Sequence, residues 1–459
     1  MNGAADLDRR YLWHPFTQMR DWNAGEPVVI VEGEGTILRD EQGREYLDGN
    51  SSIWTNLHGH RRPEIDRAIK EQLGRIAHSS FLGLANDVAP RLARELMEWL
   101  RLEGKVFLSD DGSTAIEAGL KMIFQARVQR GETRRRAFIS LSGGYHGDTV
   151  GAMSAGKSPL FHRVYSPLLF ETTEVMSPAC YRCPFNRAEP VRGSDARLSR
   201  KCGWECAGML DAALDSLGDS ASAFVLEPRV QGAGGMAMHP AGYLERAARS
   251  CRERGVWLML DEVLTGFGRT GEMFAFHKED SSPDVVALAK GMSGGYLPIA
   301  ATIASNEIFE AFLGDFSSQK AFFHGHSYSG NALGCAAALA SLEIFKTDHT
   351  IANIRAKGNI LARLASRFWD HPNVGDVRLE GMICAIEIVL DFKTRKSFPY
   401  AERTGFRICE AARKRGLLTR PIGDVLVLIP PYCASERQLE QMAEALWDAL
   451  CEVLPCSPP

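Results

Sequence analysis

Val256–Gly295 reads VWLMLDEVLTGFGRTGEMFAFHKEDSSPDVVALAKGMSGG. Its two apolar runs, VWLML and DVVALA, have the length and β-branched character of buried parallel strands. The first ends at Asp261 and the second at Lys290, and a Gly-rich turn follows each. In an open α/β sheet, ligands bind outside the carboxyl ends of the strands. The sequence therefore predicts a carboxylate and an amine delivered to one sheet edge. A cofactor with a protonatable ring nitrogen and an aldehyde, as in pyridoxal 5′-phosphate, uses both groups. An ordinary salt bridge at the strand ends uses them equally well, and the flanking sequence has to separate the two.

Around that stretch, helix alternates with short apolar strand from Pro90 onward, the signature of a doubly wound sheet. VFLSDDGSTAIEAGLKMIFQARVQ (106–129) predicts a strand, a turn and a long amphipathic helix. Gly112, Ser113 and Thr114 then fall at a helix N-terminus, where free amides and the dipole suit an anion; a plain Ser/Thr cap is the alternative. AFISLSGGYHGDT (137–149) predicts a strand whose Gly-rich turn presents Tyr145 and His146, and SAFVLEPRVQGAGG (222–235) a strand ending near Glu227.

Earlier in the chain, residues 28–31, 36–38 and 46–48 predict a small antiparallel meander, followed by the polar loop GNSSIWTNLHGH (49–60) and a helix over 63–76. YLWHPFTQMRD (11–21) is aromatic, Pro15 argues against a helix through it, and so apolar a segment is expected to dock on something. Beyond about Cys335, helix and strand alternate without Gly-rich strand ends, which suits a smaller α+β domain. Arg420, in LLTRPIGDVLVLIPP, has no acidic neighbour in the strand segments beside it. The organisation expected is residues 1–75 contributing to the small domain and pocket, 76–334 a large α/β domain, and 335–459 the small domain.

The 459 residues are 45% hydrophobic and 24% charged with a formal net charge of −4, ordinary for a globular protein and without a basic surplus for nucleic acid or acidic membranes. No apolar run approaches a membrane span, and the start, MNGAADLDRR, lacks the apolar core of a secretory signal. Eleven cysteines in such a chain read as reduced thiols in the cytoplasm. Four of them, Cys180, Cys183, Cys202 and Cys206, have C-x2-C…C-x3-C spacing, close to a structural zinc pattern. The last spacing departs from that pattern, and buried free cysteines serve as small apolar residues too; no metal is expected.

DDGSTAIEAGLK, GGYHGDT, EPRVQGAGG, LDEVLTGFGRTG, LAKGMSGGYLPIA and HGHSYSGNALGCAAALASL together resemble the class III pyridoxal-phosphate aminotransferases of fold type I, nearly end to end. YLWHPFTQM, the SSIWTNLHGH loop and RPIGDVLVLIPPY are most similar to the branch that acts on 8-amino-7-oxononanoate (7-keto-8-aminopelargonate) in biotin biosynthesis. The resemblance implies an α/β fold with a large, mostly parallel doubly wound sheet and a smaller α+β domain. It implies that Lys290 binds the cofactor covalently and shuttles the proton, that Asp261 pairs with the pyridine nitrogen, and that Gly112 and Ser113 hold the phosphate. Tyr145 would stack on the ring. Gly325, His326 and Ser327 would complete the phosphate site from the partner subunit of a homodimer. Phe16, Ile53 and Trp54 would line a pocket for an extended hydrocarbon chain, with Arg420 on the substrate carboxylate.

Three departures bear on substrate and donor. Ile53-Trp54 stands where the best-known biotin enzymes carry Trp-Trp, Phe16 where they carry Tyr, and Gly325-His326-Ser327 where they carry Gly-Pro-Thr. GGYLPIA and CYRCPF look more like the lysine-using branch than the S-adenosylmethionine branch, so both amino donors stay open. A broad ω-amine:pyruvate transaminase is the alternative that the changes at Ile53 and Phe16 allow.

Overall fold

A computed structural model describes residues 3–158 and 161–455. The two apolar runs lie side by side as parallel strands, Trp257–Asp261 and Val285–Leu288, with Met259 opposite Val285 and Asp261 opposite Ala287. Every residue in both is buried. Alternation along the pleat sends Leu258, Leu260, Val286 and Leu288 into one core, and Trp257, Met259, Val285 and Ala287 into the other. Both faces are therefore covered.

These strands sit at the middle of a seven-stranded sheet whose order is 104–109, 300–305, 285–288, 257–261, 221–226, 137–141 and 173–175. Only 300–305 runs antiparallel to its neighbours. The chain enters at one edge, crosses to the far side, and works back inward, so successive strand ends face one crevice. The helix Gly112–Gln129 packs across the sheet at its Gly119, where a Cβ would stand 2.5 Å from the Met259 methyl. A larger residue there would push the Met259 side chain aside.

Two smaller sheets flank the large one. Strands 30–34, 37–40 and 45–48 form the expected meander, and the C-terminal pair Leu417–Leu418 adds to it in parallel beside Leu47 and Asp48. Strands 374–380, 383–388 and 425–428 form an antiparallel sheet. No helix among the described residues is long and apolar enough to cross a membrane.

The Cys-rich segment has no helix or strand between Val175 and Glu205. Polar side chains hold it to the C-terminal sheet instead. Arg182 pairs with Glu387 at 2.7 Å, Arg192 donates to the carbonyls of His371 and Pro372, and Arg197 bridges Asp195 and Glu380. Glu380 also takes Arg229 at 3.1 Å and Lys278 at 2.6 Å. Burial would raise its carboxyl, but the three cations bring it down to about 2. Glu380→Gln leaves these cations buried without their common counter-charge, and the expected loss is about 3–5 kcal/mol. Urea unfolding of the variant against the parent measures it.

Candidate active site

Each central strand hands one polar group to the crevice. Asp261 closes the strand Trp257–Asp261, Glu227 follows 221–226, Lys290 follows 285–288, and the turn Gly143–His146 follows 137–141. Asp261 directs its oxygens to His146 and to the backbone. Oδ2 meets His146 Nδ1 at 2.7 Å, and Oδ1 accepts from the Val263 amide at 3.0 Å. Burial alone would lower the His146 imidazole, but the hydrogen bond and charge of Asp261 outweigh it and hold the ring above its ordinary range. Glu227 accepts from the amides of Gly232 at 2.7 Å and Tyr145 at 3.2 Å. Its burial, opposed by His146 and reinforced by the Asp261 charge, pushes the carboxyl up to about 7.

Lys290 stands in a left-handed backbone conformation, φ 41°. Burial lowers its amine from the ordinary range against the pull of Asp261 and Glu227. Its Nζ lies 5.0 Å from the centre of the Trp54 ring. The glycines that follow exist for close approach. A Cβ on Gly291 would meet Leu57 at 2.8 Å, and one on Gly295 would meet Asn56 at 2.9 Å. Residues 55–57 can thus lie against the Lys290 turn.

Trp54 is presented by an unusual segment. Ser51, Ser52, Ile53 and Trp54 all have positive φ, from 45° to 68°, so they form one left-handed helical turn of L-residues. The sequence reading gave this stretch as a loop. Handedness has no signature in composition, and Ile53 is among the residues least suited to it.

The helix at Gly112 is capped by Asp111, not by a serine or threonine. Asp111 Oδ1 accepts from the Thr114 amide at 3.0 Å, and Thr114 Oγ1 accepts from the Asp111 amide at 3.2 Å. That capping box leaves the Gly112 and Ser113 amides without an acceptor among the described residues. The Ser113 hydroxyl is fixed by Thr149, whose amide donates to it at 2.9 Å. Gly147, at φ 117°, approaches so closely that a Cβ would stand 2.3 Å from Ser113 Oγ.

Tyr145 stacks on His162 with ring centres 5.8 Å apart, and its hydroxyl donates to Asp148 at 2.7 Å. Phe161 meets Tyr145 edge-on, and Phe16 meets Phe161 at 5.4 Å. Arg420, exposed, donates to the Phe16 carbonyl at 3.4 Å. Phe16 is thus docked as expected, but Tyr11 and Trp13 are not: Trp13 is 88% exposed. The helices Ala4–Tyr11 and Met19–Ala24 close on a polar hub, with Asp8 accepting from Trp22 Nε1 at 2.7 Å and meeting His14, which leaves those aromatics outside. In the turn Gly325–Ser327, His326 lies 3.6 Å from Asp110 of the same chain, and the Ser327 carbonyl accepts from His78.

Cys180, Cys183, Cys202 and Cys206 do line one small cavity, with Arg200 and Trp204. Among the described residues, however, no three ligating side chains are arranged to hold a metal ion. Burial pushes the Cys180 thiol up to about 12 and Cys206 up to about 11, the behaviour of protonated thiols in a packed wall.

The residues present fit pyridoxal 5′-phosphate. Free amides at a helix start suit its phosphate, a lysine amine held toward neutrality suits its aldehyde, and a carboxylate pinned by an imidazole suits a protonated ring nitrogen. The sequence pattern alone assigns His146 and Glu227 no role. Glu227 shares with Asp261 the position of an acid at a buried strand end, a signal that was available. Nothing in the sequence places His146 on Asp261.

Residues 19–450 match the model of the family described as Aminotransferase class-III. The adenosylmethionine-8-amino-7-oxononanoate aminotransferase of Geobacter sulfurreducens is 45% identical over 443 residues, 96% of each chain. The crystal structure of the protein of that name from Methanocaldococcus jannaschii superposes with a TM-score of 0.90 at 40% identity, covering 98% of both chains. The omega transaminase from Pseudomonas jessenii in complex with PMP superposes at 0.92 with 28% identity, again over 98% of each.

Because Glu227 rises from 4.5 to about 7 on folding, the folded chain holds a proton there that the unfolded chain has lost between those values. Stability must fall as pH rises through that window. Glu227→Gln removes this group's share of the fall, while Glu262, raised to about 7 as well, keeps its own. Melting of the cofactor-free chain at about pH 5 and about pH 8 tests it: the parent should lose stability relative to the variant at the higher pH. A constant difference overturns the assignment.

Proposed function

Since the chain belongs to the class III aminotransferases, we propose that it converts 8-amino-7-oxononanoate to 7,8-diaminononanoate in biotin biosynthesis. The observation that carries this is identity of 41–45% across nearly the whole chain with relatives named for that activity. The ω-transaminases share the fold at lower identity, which leaves the broader amine:pyruvate reading without an observation in its favour. The enzyme depends on pyridoxal 5′-phosphate. We take S-adenosylmethionine as the amino donor, following the names of the relatives, with lysine as the competing donor to be tested.

When bound, the cofactor supplies an aldehyde that takes up an amine and a ring that accepts the electron pair freed at the reacting carbon. For the chain's own residues we propose the following roles. Gly112 and Ser113 donate their amides to the phosphate. Asp261, held by His146, keeps a proton on the ring nitrogen. His146, hydrogen-bonded to Asp261, is a positioning residue. Lys290, held toward neutrality by burial, first anchors the cofactor and, once released, moves a proton to and from the substrate carbon. Tyr145 lies along the ring face. Trp54 and Ile53, with Phe16, wall off the hydrocarbon chain and exclude water from it. Arg420 takes the terminal carboxylate through its two-pronged guanidinium.

We further propose a homodimer in which the partner's copy of the turn at Gly325, His326 and Ser327 completes the phosphate cradle. Phe316, Phe323 and Tyr328 beside that turn are all exposed in the single chain, as residues awaiting a partner would be.

The purified protein reconstituted with cofactor is expected to be yellow, and Lys290→Ala to lose the band that borohydride reduces. The keto acid should be aminated with S-adenosylmethionine; amination only with lysine moves the donor, and a strong preference for pyruvate as acceptor sinks the biotin assignment. Arg420→Ala should weaken the keto acid by about 1.5–3 kcal/mol, roughly a ten- to hundredfold rise in KM. An unchanged KM assigns Arg420 a structural role.

A further inference from the structure

The left-handed turn at Ser51–Trp54 is the most strained backbone in the pocket. For L-residues each left-handed position costs about 1–2 kcal/mol, and such runs persist only where the surroundings over-determine them. Here they do. Asp48, buried at the end of its strand, accepts from the Ser52 amide at 3.0 Å and the Ser52 hydroxyl at 2.9 Å. The Ser51 hydroxyl donates to the Ile429 carbonyl at 2.6 Å, and Trp54 Nε1 to Asn50 at 2.8 Å. Arg269, wholly buried, donates to the carbonyl of Trp54 at 3.2 Å and to that of Pro430 at 2.9 Å.

The Ile53 side chain contributes little to holding the turn. Ile53 is 47% exposed, so its side chain does not anchor the segment. What the handedness secures is the position of Trp54. Its ring lies against the Lys290 amine on one side. On the other it packs on the apolar cluster of Val230, Leu264 and Val425. An extended or right-handed segment would carry the indole away from both.

We propose that this left-handed turn, clamped by Asp48 and Arg269, determines acceptor specificity: it holds Trp54 as a fixed wall against the reacting amine, at the expense of stability. Asp48 is on this account a positioning residue for the pocket. The inference rests on the functional reading above for the identity of the acceptor, but not for the strain.

The test compares Ile53→Gly with Ile53→Ala in the holoenzyme. Both remove the branched side chain; only glycine also removes the left-handed penalty. The glycine variant is expected to melt about 1–3 °C above the alanine variant. Asp48→Asn weakens the clamp on Ser52 instead, and its kcat/KM ratio for keto acid over pyruvate should fall roughly tenfold below that of the parent, a change of about 1.4 kcal/mol, carried mainly by KM. A glycine variant that melts at or below the alanine variant overturns the stored strain. Discrimination by Asp48→Asn equal to the parent's overturns the link to specificity. Should the parent itself fail to aminate the keto acid, the functional reading falls alone. The melting comparison stands, and discrimination is then read between whichever acceptors the parent uses.

Discussion

A carboxylate at the end of a fully buried strand cannot remain ionised without a partner, and the hydrogen bond between Asp261 and His146 answers that constraint. Much of the crevice is arranged about it. The turn that carries His146 also carries Tyr145, and Glu227 accepts the Tyr145 amide, so the same bond fixes where the aromatic face lies. Glu227 in turn accepts from Gly232, whose absent side chain leaves room for Trp54 and Leu264. The negative charge at Asp261 is matched by His146 rather than by Lys290. That division keeps the lysine amine available for chemistry and leaves the carboxylate oriented whether or not the amine is engaged.

The sheet was legible because its strands are apolar runs ended by polar residues. VWLML and DVVALA are buried on both faces, and in such strands the boundary is written in the residues themselves. The meander at residues 30–48 was legible for the same kind of reason, its glycines marking the turns. The parallel addition of Leu417–Leu418 to that meander was not. Two residues carry no period, and the pairing joins positions far apart in the chain. At the site, a helix start at Gly112 could be read from the sequence, and the cap that a serine or threonine there could also supply comes instead from Asp111. The handedness of Ser51–Trp54 was beyond reach: it depends on donors and acceptors supplied by Asp48, Arg269 and Ile429.

The Cys-rich segment is held to its neighbours by side chains that its spacing does not announce. C-x2-C…C-x3-C invites a metal, and the four side chains do meet around one cavity. The segment is nevertheless kept in place by arginines that reach across to Glu380, Glu387 and a row of backbone carbonyls. Guanidinium groups give a loop without helix or strand a set of directional donors, and the thiols are left as packing groups. Asn186 ties the two cysteine-bearing stretches together, donating to the Cys180 carbonyl and accepting from the Lys201 amide. Side-chain amide geometry does here what coordination would do elsewhere.

The pairing of the chain's two ends has a consequence for how the protein comes into being. Asp48 and the turn after it are made early, yet the contacts that fix them come from the last part to be synthesised. Leu47 donates to the Gly416 carbonyl, Gly49 to Leu418, Ser51 to Ile429, and the Tyr432 amide returns to Leu57. During translation the acceptor pocket therefore stays unformed until almost the whole polypeptide has left the ribosome, while the large sheet has all its strands by residue 305. Contacts of such long sequence separation are slow to close. The nascent chain can thus build the shelf for its cofactor well before it can recognise a substrate.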